Sequence, residues 1–255
     1  MLARLRRVLF GVEVRFDPAW NDWLRADYAH WTIPLEPALR ERWEQLTARF
    51  VMLTRWEAAR DFELDERMKV SIAAQATRLL LGVGINDFPG LGTVLVRRNA
   101  ARIAAPRTIG RSGGVMTASH HIAGQASTDG QIVLVWPTVR RGAAKNATGR
   151  ESRTNVVYHE FAHRLDMSNG ATDGTPPLGG VEHQQRWAEV MHVAYDRVAT
   201  GESPLRGYAG TNPAEFFAIT TEAFFCQPDE LAQHEPVVYS ALRAFYLQDP
   251  AELSA

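Results

Sequence analysis

His159-Glu160-Phe161-Ala162-His163 reads H-E-x-x-H. On an α-helix, residues four apart lie on one face, one turn from each other. Two imidazoles so placed can point at a single metal ion. Glu160, next to the first of them, can reach a water on that metal and take its proton. The chemistry implied is zinc-dependent hydrolysis of a peptide bond or a similar amide. The flank suits a packed helix. Val156, Val157, Phe161, Ala162 and Leu165 are apolar, and no Pro or Gly interrupts the run before Gly170. Thr154 or Asn155 is a candidate N-cap.

A catalytic zinc generally has three protein ligands and one open position. A histidine six residues after His163 is excluded, because position 169 is Asn. Asp166 lies ~10 Å along the helix axis from His159, too far to share its ion. It is instead a candidate to orient a histidine N–H, or a surface ion-pair or capping residue. The stretch from Asn212 to Phe225 reads as a second helix, with Asn212 as N-cap and Pro213 at its first position. It is strongly apolar and carries two carboxylates, Glu215 and Glu222. A carboxylate in such surroundings must be paired, hydrogen-bonded or metal-bound. Glu215 is a candidate ligand or a capping-box partner of Asn212. Glu222, deeper in the apolar run, is a candidate ligand or an acceptor behind one. The residues alone leave the two open.

The chain resembles the Mlc titration factor A family of bacterial zinc metallopeptidases. The likeness is carried by His159 through Met167, by Tyr208-Ala209, and by Pro213-Ala214-Glu215 with Phe217-Ala218. It is weaker from Gly124 to Trp136 and at Phe245-Tyr246 with Gln248-Asp249-Pro250. The resemblance implies Glu215 as third ligand to one Zn2+ per chain, with His159 and His163, and leaves Glu222 and Asp166 behind them. It implies Glu160 as general base. Similar zincins carry a Tyr seven positions before the ligand Glu, here Tyr208, whose O–H would donate to the oxyanion. It also implies a cytosolic peptidase active on small aminopeptidase-type substrates. The namesake binds and inactivates Mlc, a transcriptional repressor of sugar uptake.

The 255 residues suit one domain. The expected division is a helical N-terminal lobe, 1–65, and a zincin-like catalytic core, 66–255. The fold class expected is α+β, mostly helical, with a small mixed sheet beside the active-site helix. Hydrophobic residues make up 45% and charged residues 22%, as in a folded globule, and 28 basic against 29 acidic side chains give a net charge of −1. That balance offers no drive toward nucleic acid. The single Cys226 cannot form an internal disulfide, which suits a reducing, cytoplasmic compartment, and it reads as a buried thiol. The basic start at Met1 to Val12 has too short an apolar run for a signal peptide. No segment approaches the ~20 apolar residues of a membrane span.

Residues 20–59 read as helices broken near Pro34 and Pro37. Trp20, Trp23, Trp31, Trp43 and Trp56 read as packing residues. Asp65 to Leu81 reads as a helix ended by Gly82 and Gly84. Thr93–Val96 and Ile132–Trp136 read as strands, and Gly124 to Trp136 as an edge ribbon on which extended substrate backbone could pair. His120-His121 would face opposite sides of a strand and make a poor ligand pair, so they read as loop residues. Ser168 to Gly180 reads as a loop beside the site, and Val181 to Val198 as a helix with His183 and His192 on its surface. Pro228 to Tyr246 reads as a final helix. The expected partner is a peptide or small protein substrate, with a repressor protein as a second partner and no nucleic acid or membrane. The rival reading is a non-catalytic protein that sequesters a regulator and uses zinc structurally. A hydrolase built on Cys226 has no local His or acid to activate it.

Overall fold

The computed structural model describes residues 14–60, 62–83, 92–99, 124–126, 131–145, 152–200 and 207–254. The readings made for Met1 to Val12, Gly84 and His120-His121 lie outside them.

The chain opens with helix α1 (Trp20–Asp27), a 3-10 turn (Ala29–Thr32) and helix α2 (Pro37–Leu53). Pro37 starts α2 because its fixed φ suits a first helical position and its missing N–H has no partner to lose there. The tryptophans pack rather than line a groove. Trp20, Trp31 and Trp43 are buried, Trp23 and Trp56 lie against the core, and the Arg40 guanidinium stacks over Trp31 and Trp43. Strand β1 (Arg55–Ala58) follows, where the sequence had suggested continued helix. Thr54 turns extended (ψ 134°) and ends α2, and the four residues then pair in parallel with strand β2 (Thr93–Arg97). The partner, not the local residues, makes this strand.

Helix α3 (Glu66–Arg78) is capped by Asp65, whose carboxylate accepts the Met68 N–H at 2.7 Å. The short helix α4 (Leu80–Val83) completes the run and contains Gly82, which the sequence had suggested as a stop. A Cβ there would lie 2.1 Å from the Tyr246 carbonyl oxygen, so close chain approach is what requires glycine. Strand β3 (Gly124–Ala126) runs antiparallel to strand β4 (Gln131–Val135), which pairs in parallel with β2. The strand order is β1-β2-β4-β3. This small mixed sheet within a mostly helical chain is the α+β arrangement expected. Among the described residues of the ribbon from Gly124 to Trp136, β3 is an edge and β4 lies inside the sheet. Trp136 leaves the sheet and opens helix α5 (Trp136–Ala143).

Helix α6 (Val156–Asp166) holds H-E-x-x-H, and β3 packs beside it. After a 3-10 turn (Met167–Asn169) and an irregular stretch comes helix α7 (Val181–Ala199), then a 3-10 turn (Gly207–Gly210) and helix α8 (Pro213–Cys226). On α7, Trp187, Met191 and Ala194 are buried while His183 and His192 are exposed. The single final helix expected is divided. Pro236 begins a new one, giving α9 (Pro228–His234) and α10 (Pro236–Tyr246), with α11 (Pro250–Ser254) at the end. One apolar cluster runs from Trp20 through α3, β2, β4, α6 and α8 to Tyr246. No helix among the described residues is long and apolar enough to cross a membrane.

Candidate metal centre

Helices α6 and α8 pack against each other, and their polar residues meet at the contact. Asn155 caps α6: its Oδ1 accepts the N–H groups of Val157 at 2.9 Å and Tyr158 at 3.2 Å. Val157, Tyr158, Phe161, Ala162 and Leu165 are buried on the back of the helix. The Tyr158 hydroxyl meets His30 Nδ1 at 2.8 Å and the Tyr28 hydroxyl, tying α6 to the N-terminal turn. Burial, with the Tyr28 hydroxyl beside it, raises the Tyr158 phenol well above its ordinary pKa. With that face fixed to the core, His159 and His163 share the other. Their ring centroids are 4.8 Å apart.

Helix α8 is buried on all sides along most of its length, with Phe216 through Phe225 all buried. Asn212 caps it by accepting the Glu215 N–H at 2.9 Å. Glu215 is thus held in the first turn. Its Oε2 lies 3.4 Å from His159 Nε2 and its Oε1 lies 3.4 Å from His163 Nε2. Ligand atoms of His159, His163 and Glu215 all fall within 4.8 Å of one another. Glu222, two turns on, places Oε2 3.5 Å from His159 Nδ1, while its Oε1 accepts the Asn155 N–H at 2.7 Å. The structure therefore separates the two carboxylates that the residues alone left open. Glu215 faces both Nε2 atoms, and Glu222 faces the opposite nitrogen of one ring. Glu160 is buried beside them, 5% exposed.

Charge at this contact is strongly coupled. Burial opposes protonation of His159. The hydrogen bonds to Glu215 and Glu222 and the fields of Glu160 and Glu222 outweigh it, raising the imidazole to about 10. Burial likewise favours a neutral Glu215, but the two histidines pull that carboxyl down to about 2. The donor set fits a zinc ion: two imidazole nitrogens and one carboxylate, on facing helices. Glu215 Oε2 is buried and makes no well-formed hydrogen bond, as suits an oxygen turned toward a shared cation.

Asp166 behaves otherwise than expected. It is fully buried at the end of α6 and makes no hydrogen bond to either histidine ring. Burial raises its pKa, against the opposing pull of the Gly174 and Thr175 backbone amides and of His163. It faces the loop after α6 rather than the imidazoles. Gly174 in that loop (φ +78°) is pinned: its carbonyl accepts the Trp187 Nε1–H at 3.0 Å, and a Cβ on it would lie 2.4 Å from the Pro213 carbonyl oxygen. Tyr208 lies in the 3-10 turn before α8; its side chain is outside the described residues. Cys226, at the end of α8, is half-buried rather than buried. Sequence reasoning passed over Gln75 and treated Asn155 only as a cap. The signal available for Gln75 was its place within the small and apolar run Ile72-Ala73-Ala74-Gln75-Ala76.

The model of the family described as glucose-regulated metallo-peptidase M90 matches residues 3–247. An uncharacterized protein of Synechocystis sp. is 31% identical over 256 residues, covering 91% of each chain. A protein named Mlc titration factor A from Escherichia fergusonii is 30% identical over 223 residues, 85% of this chain and 82% of the relative. One of the same name from Edwardsiella ictaluri is 36% identical over 139 residues, about half of each chain. With the match running through both helices of the metal centre and nearly the whole sequence, the chain belongs to the glucose-regulated metallopeptidase M90 family.

Proposed function

We propose that this protein is a zinc-dependent peptidase that hydrolyses peptide or amide bonds in small substrates. The observation that carries the reading is the convergence of His159, His163 and Glu215 at the contact of α6 and α8, with Glu160 buried beside them. His159 directs its Nδ1–H to Glu222, which fixes the tautomer and leaves the Nε2 lone pair for the metal. His163 contributes Nε2, and Glu215 contributes its carboxylate. Zinc, when bound, supplies Lewis acidity and lowers the pKa of a coordinated water toward ~7. Glu160 accepts the proton of the attacking water and delivers it to the leaving amine nitrogen. Tyr208, one turn before α8, donates its O–H to the charge developing on the scissile carbonyl oxygen. The edge strand β3, beside α6, offers backbone N–H and C=O groups along which an extended peptide lies without a sequence code.

The relatives' name, Mlc titration factor A, supports a second activity. In this reading the protein also binds a transcriptional repressor through its surface. The single cysteine suits a cytoplasmic setting for both activities. The test is cleavage of a mixed peptide library with and without a chelator, beside the Glu160→Gln variant. Chelator-sensitive cleavage is expected. Glu160→Gln should retain zinc and lose turnover by at least ~10²-fold. Full activity in that variant, or indifference to chelator, rejects the mechanism. Repressor binding that persists in Glu160→Gln would separate titration from catalysis.

A further inference from the structure

A buried chain of hydrogen bonds runs from α3 to the back of the candidate metal centre. Gln75, on α3, has no exposed surface. Its Nε2 donates to the Ser71 carbonyl at 3.0 Å, which sets the amide so that Oε1 accepts the Asn155 Nδ2–H at 2.9 Å. Asn155 is also buried and uses every part of itself. Its Oδ1 caps α6, its Nδ2 donates to Gln75 Oε1 at 2.9 Å and more weakly to the Gly142 carbonyl at 3.4 Å, and its backbone N–H donates to Glu222 Oε1 at 2.7 Å. Glu222 then presents Oε2 to His159 Nδ1 at 3.5 Å. Three helices are joined by polar contacts where apolar packing surrounds them. Capping α6 requires only the Asn155 oxygen, so the cap does not explain Gln75. A buried amide is costly without partners and directional with them.

We infer that Gln75 and Asn155 are positioning residues for His159, acting through Glu222. Gln75 fixes the rotation of the Asn155 amide. Asn155 then aims its backbone N–H at one oxygen of Glu222, which leaves the other oxygen directed at the imidazole. The ring is thereby held in one orientation before metal arrives, and its Nδ1–H stays on Glu222 when Nε2 gives up its proton to the metal. This rests on the reading of His159 as a zinc ligand.

The test is zinc affinity, by competition with a chromogenic chelator, beside the melting temperature of the metal-free chain. The variants are Gln75→Leu, Asn155→Ser and their combination. Asn155→Ser keeps a capping oxygen but has no amide for Gln75, and it decides the matter if Gln75→Leu does not fold. Each single variant should weaken zinc binding about three- to tenfold, less than the ~10–100-fold expected of Glu222→Gln, the direct partner. Because both lie on one path, the double variant should bind within about twofold of the weaker single. Zinc affinities within about twofold of the parent, with only the melting temperature lowered, would overturn the inference and leave both residues a purely structural part. If the parent takes up no zinc, or His159→Ala binds it equally well, the metal-centre reading falls and this inference with it.

Discussion

At the residue scale the candidate site is a competition between a proton and a metal. Without metal, His159 is raised to about 10, so it carries a proton at pH 7. Zinc takes only the neutral ring. Zinc binding at pH 7 should therefore release about one proton, and affinity should fall about tenfold for each unit of pH below that. Calorimetry in two buffers of different ionisation enthalpy measures the release; a heat that does not change with buffer would contradict it. The sign for the metal-free fold runs the other way. A raised histidine contributes stability that is complete below its ordinary value of 6.5 and is lost as pH rises through about 10. Glu215, lowered to about 2, contributes stability present above 4.5 and lost as pH falls toward 2. Melting of the metal-free chain across pH should show decline on both sides of that window. At this scale H-E-x-x-H was fully legible, because helical spacing alone places its histidines together. Glu215 and Glu222 were not separable by spacing. They differ in which nitrogen they face, and that depends on how α8 lies across α6.

At the element scale the arrangement depends on where α8 begins. Asn212 fixes its first turn, and Gly174 lies against Pro213 through a backbone conformation that only glycine holds without strain. Gly174→Ala should cost roughly 2–4 kcal/mol, combining a left-handed φ with a Cβ driven into a carbonyl. Chemical denaturation measures this; a loss below ~1 kcal/mol would mean the loop yields freely. Asn212→Ala removes only a cap and should cost about 1 kcal/mol by the same measurement, with no change in stability contradicting it. Caps made two helices legible: Asn212 with Pro213 marks the start of α8, and Asn155, read beside Thr154 as a cap, marks that of α6, while the break read near Pro37 is where α2 begins. Strand β1 was not legible, since Arg55-Trp56-Glu57-Ala58 is extended only because β2 lies beside it. Asp166 misled for a similar reason. His163 lies one turn before it, but burial and the Gly174 amide weigh more on its carboxylate than that histidine does.

At the scale of the whole molecule, the mixed sheet and surrounding helices were legible as a class. Short β-branched strands and long apolar helices in one chain leave few other arrangements. The path from α3 to His159 was not, because its members are separated by as many as 147 positions between Gln75 and Glu222 and obey no local period. A ligand held by two helices should also bind them together. Saturating zinc should raise the melting temperature, by about 2.7 kcal/mol of stability at a hundredfold excess over the dissociation constant, and chelator should reverse it. The most direct test of the central claim is anomalous diffraction at the zinc edge from zinc-loaded crystals. The account predicts one peak per chain, ~2.0–2.2 Å from His159 Nε2, His163 Nε2 and a Glu215 oxygen. A peak elsewhere, or one held by the histidines with Glu215 turned away, would contradict it.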